Sequence, residues 1–217
     1  MGAVLLCKRY MNASLFICRD NQALEVLVLR SWHLVLGLIV LTGAAYAVVV
    51  TEPLMDDTFI SQASPEMSFS ENDTIWAISE GGKPISEAYL GFNNSFSTVG
   101  VISPNNVASA ALKLYATEVK KPGNITAYLV HGSPALITLN WNDKVNYDTE
   151  ANATISIDKV GDYTLDVTSL IKRAVATCEG GCPYSIVLIP QGEASIGFVS
   201  MESSDKEKMA SLKYTAT

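Results

Sequence analysis

Beyond residue 56 the chain is a succession of short β-prone runs, nearly all ended by a turn signal. The runs are Thr58–Ser61, Thr74–Ser79, Ala88–Phe92, Ala110–Thr117, Ile125–His131, Ala153–Asp158, Tyr163–Val167, Tyr184–Pro190, Ala194–Met201 and Ala210–Thr215. In Ala111–Tyr115 and Tyr163–Val167 apolar and polar residues alternate, which is the two-residue period of a half-buried strand. Gly81-Gly82, Pro104-Asn105-Asn106, Pro122-Gly123, Gly132-Ser133-Pro134, Gly161-Asp162 and Gln191-Gly192 supply turns. About ten short strands with frequent turns predict an all-β fold, an antiparallel β-sandwich or jelly roll. One helical pattern interrupts them. Thr168-Ser169 offers a cap, and Leu170, Ile171, Ala174 and Val175 fall on one face before Cys178. So short a helix must gain its stability by lying across an open end of the sandwich. Asp166, just ahead of it, reads as a helix-entry residue that accepts backbone amides.

Upstream, residues 34–50 read LVLGLIVLTGAAYAVVV without a charge. The run is at the short end for a membrane span, which needs ~20 residues. Ala45-Tyr46-Ala47 has the small-residue form that a signal peptidase accepts. Residues 31–50 are therefore a signal peptide or a membrane anchor, a hydrophobic helix ahead of the sandwich. Residues 1–30 hold both charges and apolar runs, and read as a cytoplasmic tail or as the product of a start codon assigned too early. Residues 51–217 are left for one extracellular or cell-surface domain.

From residue 48 onward 11 basic residues face 20 acidic ones, a net charge of −9, with Arg173 the only arginine. Such a surface repels phosphate backbones and argues against nucleic acid. Cys178 and Cys182 flank Glu-Gly-Gly, a turn flexible enough to close a disulfide in an oxidising compartment. The competing zinc reading needs two further ligands, and the exported part offers one histidine, His131. Asn72, Asn93, Asn124 and Asn152 each open an Asn-X-Ser/Thr glycosylation triplet without proline.

The order of the strands resembles the DNRLRE-domain family of secreted, carbohydrate-binding-module-like β-sandwiches, over residues 56–216. The residues that carry the resemblance are Asp57–Ile60, Ile75–Ile78, Ala88–Asn93, Ser109–Tyr115, Leu139–Asp143, Tyr163–Leu170, Tyr184–Pro190, Gly197–Ser203 and Ser211–Tyr214. It implies a jelly-roll-like fold on secreted or surface proteins, with polysaccharide or a surface glycan as partner. Glu87 and Gly91 stand where that family often has arginine, and Asn93 replaces a strand-end aspartate. Binding through basic residues on that strand is therefore not expected here.

Catalysis has no constellation to rest on, so the expected role is non-enzymatic, without a catalytic residue or an obligatory cofactor. For sugar, Trp76 is the leading platform: if Ile75 and Ala77 face the core, alternation turns it outward. Tyr89 and Tyr128 are weaker platforms, and Trp141 reads as core. Asp56, Asp57 and Asp143 could ligate Ca2+ from loops. A second class of function is a filament subunit. In it the apolar tail Val48–Met55 would complete a neighbour's sheet by donor-strand exchange and form a homo-polymer, although Pro53 would interrupt such a strand. The alternatives for Val48–Val50 are the end of an uncut membrane anchor or an edge strand of their own domain.

Overall fold

A computed structural model describes residues 47–132, 134–178 and 184–217 of the chain. The apolar helix expected over 31–50 lies outside these residues up to Tyr46, as do Cys182 and the turn that would join it to Cys178. Among the described residues there are ten strands and one α-helix. In chain order they are β1 (Val48–Ser61), β2 (Thr74–Glu80), β3 (Lys83–Phe92), β4 (Val107–Lys121), β5 (Gly123–His131), β6 (Asp148–Ile157), β7 (Gly161–Asp166), α1 (Thr168–Cys178), β8 (Tyr184–Gln191), β9 (Ser195–Val199) and β10 (Ser211–Ala216). Each expected run falls on one of these strands. The β2–β3 hairpin shows why turn chemistry sets the register. Gly81 and Gly82 both sit at positive φ, 57° and 75°, as a two-residue connection of that hand requires.

All pairings are antiparallel, and two long strands are shared between layers. The first half of β1 pairs with β10, from Val48 opposite Ala216 to Pro53 opposite Ser211. Its second half pairs with β3, and the register shifts between Leu54 and Asp56. A bulge there bends the strand from one layer into the other. β4 likewise pairs with β10 and β7 along its first part and with β9 along its second. One layer thus runs β7-β4-β10-β1, the other β6-β5-β8-β3-β1, and β2 with β9 closes one end.

Val48–Val50 therefore belong to a strand of this domain rather than to the end of an apolar helix. The same pairing gives Val48–Pro53 a partner within its own sheet, so donor-strand exchange finds no free strand in this tail.

The core lies between the layers. Leu112, Leu114, Ile125, Leu129, Ile186 and Leu212 are at 0–1% exposure and belong to one apolar cluster. α1 packs Leu170, Ile171, Ala174 and Val175 into that cluster at 0–5% exposure, against β4, β5 and β6. Burying each of the three larger side chains is worth roughly 1.5–3 kcal/mol, which supports a helix too short to stand alone.

A second apolar cluster covers the outer face of the β5-β8-β3 layer. The segment between β5 and β6 folds over this face and places Leu136 and Leu139 on Tyr89, Val130, Val187 and Ile189. Lys144 of that segment donates to buried Glu87 at 2.9 Å, and the Tyr89 hydroxyl donates to the other Glu87 oxygen at 3.0 Å. Gly91 makes room for the cover, since a Cβ there would lie 3.3 Å from Leu136 Cδ1 and from the Asp56 carbonyl. Lys144→Met is expected to leave the Glu87 carboxylate short of a partner and to cost about 1–3 kcal/mol in urea unfolding. In Glu87→Gln the loss should be smaller, because the charge left behind, the Lys144 ammonium, is exposed to water.

Candidate functional site

Among the described residues β6 pairs only with β5 and β7 only with β4, so the two layers part along this side of the sandwich. Between the two edges and the start of α1 runs an open groove of about 630 Å3. Strand alternation sets its β7 wall: Leu165 points into the core, while Thr164 and Asp166 face outward. Asn152 and Thr154 of β6 and Thr168, Ser169 and Lys172 of α1 complete the polar part of the lining, which Ala153 and Ile155 of β6 share. Edge strands also leave backbone donors and acceptors on one side without a ladder partner.

Asp166 organises this region. Its Oδ1 accepts from the Thr168 hydroxyl at 2.6 Å and from the Thr168 amide at 2.9 Å, capping the helix as expected. Those two bonds, the hydroxyl's first, hold its carboxyl below the usual carboxylate range. Thr168 Oγ1 also accepts from the Ala110 amide at 2.9 Å, which ties β4 to the helix start.

A second concavity of about 490 Å3 lies on the outer face of β4, β7 and β10. Ser109, Lys213 and Thr215 line it, and it shares Thr164 and Asp166 with the first. The two make one path across β7, in which polar groups stand among Ala110, Ala111, Ala153, Ile155 and Leu165, with Lys172 at one side and Lys213 at the other. Hydroxyls, an ionised carboxylate, two ammonium groups and free backbone edges can bind a polyhydroxylated chain by converging hydrogen bonds. The residues along this path include no aromatic ring. Nothing in the sequence had marked the groove, because threonine and serine on alternating strands look like any solvated face.

The aromatic residues chosen from sequence fare differently. Ile75 and Ala77 are fully buried and Trp76 faces outward, as alternation required. Its indole lies over Gly197, whose added Cβ would meet the ring at 3.1 Å, and Lys120 Nζ sits 4.3 Å from the ring centroid. Trp76 is thus a half-buried platform already capped by a lysine. Tyr89 is at 0% exposure beneath the β5–β6 segment, so it is not a sugar platform. Tyr128 is half-buried and stacked on Tyr147, with centroids 4.8 Å apart. Trp141 is half-buried against the second cluster rather than inside the main core. The four acceptor asparagines, Asn72, Asn93, Asn124 and Asn152, are all exposed.

Asp56, Asp57 and Asp143 do not assemble into a metal centre. Asp143 is held in a local turn, where Asn140 Nδ2 donates to its Oδ2 at 2.9 Å. Among the described residues no three histidines, cysteines or acids come close enough to hold a metal ion. Asp57 is instead a buried carboxyl at 2% exposure. Its Oδ2 accepts from the Met201 amide at 2.7 Å, while Oδ1 has no hydrogen-bond partner. Burial pushes it up to about 7, with Asp56 and Glu202 adding to the rise against the Met201 and Ser200 hydrogen bonds.

A groove at the open edge of a β-sandwich is a geometry that ligand-binding modules use. Residues 48–214, from the first residue of β1 to Tyr214 in β10, match carbohydrate-binding module family 96, and the chain belongs to that family. Its members are binding modules rather than catalysts. No curated protein matches the chain.

The folded Asp57 carboxyl holds its proton to higher pH than the unfolded one, with a value near 7 against 3.8. Between those values the native state binds more protons at this group, so the contribution of Asp57 to stability is greatest below about pH 4 and falls as pH rises towards 7. Asp57→Asn is expected to flatten this slope and to raise Tm at pH 8, which thermal unfolding across pH 4–8 would measure. An unchanged slope would remove Asp57 from the account.

Proposed function

We propose that this chain acts outside the cytosol as a non-catalytic module for adhesion or polysaccharide binding, holding a glycan in the groove between β6, β7 and α1. The observation that carries the reading is the groove itself: hydroxyl, carboxylate and ammonium groups set among apolar side chains along one path at the edge of a family 96 sandwich. Supporting it, Lys172 and Lys213 lie on either side of the Thr164–Asp166 segment that both concavities share. The aromatic faces are less open, since Lys120 caps Trp76 and the β5–β6 segment buries Tyr89. Export is read from the apolar 34–50 run and the four exposed acceptor asparagines. Membership of the DNRLRE-domain group is part of the same reading and rests on the strand order quoted above.

Glycan-array binding of the 47–217 domain tests the assignment. Lys172→Ala removes one charged hydrogen bond, worth roughly 1.5–3 kcal/mol, and should weaken binding about 10- to 100-fold. Trp76→Ala should bind nearly as well as the parent. The reverse outcome, with Trp76→Ala dead and Lys172→Ala unaffected, moves the site to the β2–β9 face.

A further inference from the structure

Of the four acceptor triplets, the one that begins at Asn152 stands on the groove. Asn152 and Thr154 of β6 both line it, as do Thr164 and Asp166 of β7. Asn72, Asn93 and Asn124 line neither concavity. Both residues of the triplet are exposed, and Ala153 between them turns inward to pack against the core. The Asn152 carbonyl accepts from Ser169 Oγ at 3.4 Å, so the strand at this point is tied to the helix start by backbone and not by the amide side chain. The carboxamide is thus free of structural duty in the described contacts, and it sits on an edge strand whose outer side no other strand covers.

We propose that Asn152 is an N-glycosylation site whose glycan lies over the groove and controls access to it. The inference rests on the groove being the glycan site. Its logic is chemical: an N-linked chain is itself polyhydroxylated, so the lining that would hold a free polysaccharide holds the attached one as well. Attachment at the rim makes the contact intramolecular, with an effective concentration that short flexible tethers set at about millimolar. A free glycan of similar intrinsic affinity must exceed that concentration to enter. The occupied module is therefore closed to weak ligands and open when Asn152 is bare.

The test begins with the protein purified from a host that attaches N-glycans, whose Asn152 peptide is examined by mass. The groove is then read without any ligand, by the rate at which a bulky maleimide labels Thr164→Cys, assigned at that residue by peptide mass. With glycan at Asn152, labelling is expected to be at least about tenfold slower than in the Asn152→Gln background, and Asn72→Gln should change nothing. Thr154→Ala, which destroys the acceptor and keeps Asn152, must behave as Asn152→Gln does. A bare Asn152 peptide, or equal labelling rates with and without the acceptor, overturns the proposal. Since labelling reports access alone, that failure leaves the array result for Lys172→Ala standing or falling by itself.

Discussion

Everything in this fold depends on β1 changing layers. A two-layer sandwich must be held together at its sides, and here one 14-residue strand does this by pairing first with β10 and then with β3 across the irregularity at Leu54–Asp56. The strand buries Leu54 and Phe59 in the same apolar cluster while it turns. With that side joined, the layers are free to diverge along β6 and β7. The helix fills part of the gap, and what remains is the groove. Fold and candidate site are thus two ends of one constraint.

Much of the architecture was legible in the sequence because period and punctuation are local. The alternation in Ala111–Tyr115 put Leu112 and Leu114 inside and Lys113 outside, and Gly81-Gly82 turned the chain where only positive φ would serve. Asp166 was recognisable as a cap because capping needs nothing beyond the next few residues. The start of β1 was legible only as one of several alternatives. Val48–Val50 continue an apolar run without a break, and only the distant β10 decides that they are strand.

The candidate site was hidden for the complementary reason. Alternation says which face of a strand a side chain takes, but not what later covers that face. Tyr89, read as a weaker sugar platform, is buried under a segment some fifty residues downstream. Glu87 and Gly91, noticed as departures from the family's arginines, now have a physical account. One anchors the covering segment through Lys144, and the other leaves space for Leu136. The groove could not be read at all, because its walls come from β6, β7 and α1 and its chemistry is spread over ordinary hydroxyls.

Three aromatic rings on this surface carry an ammonium group above them: Trp76 with Lys120, Trp141 with Lys144 and Tyr115 with Lys208, at 4.3, 4.5 and 4.7 Å. Each pair hides an apolar plane under a charged, hydrated roof. A visitor stacking on any of these rings would first have to evict a resident cation, and would therefore begin at a disadvantage. The molecule can in this way wear bulky rings near water without becoming adhesive in the indiscriminate sense.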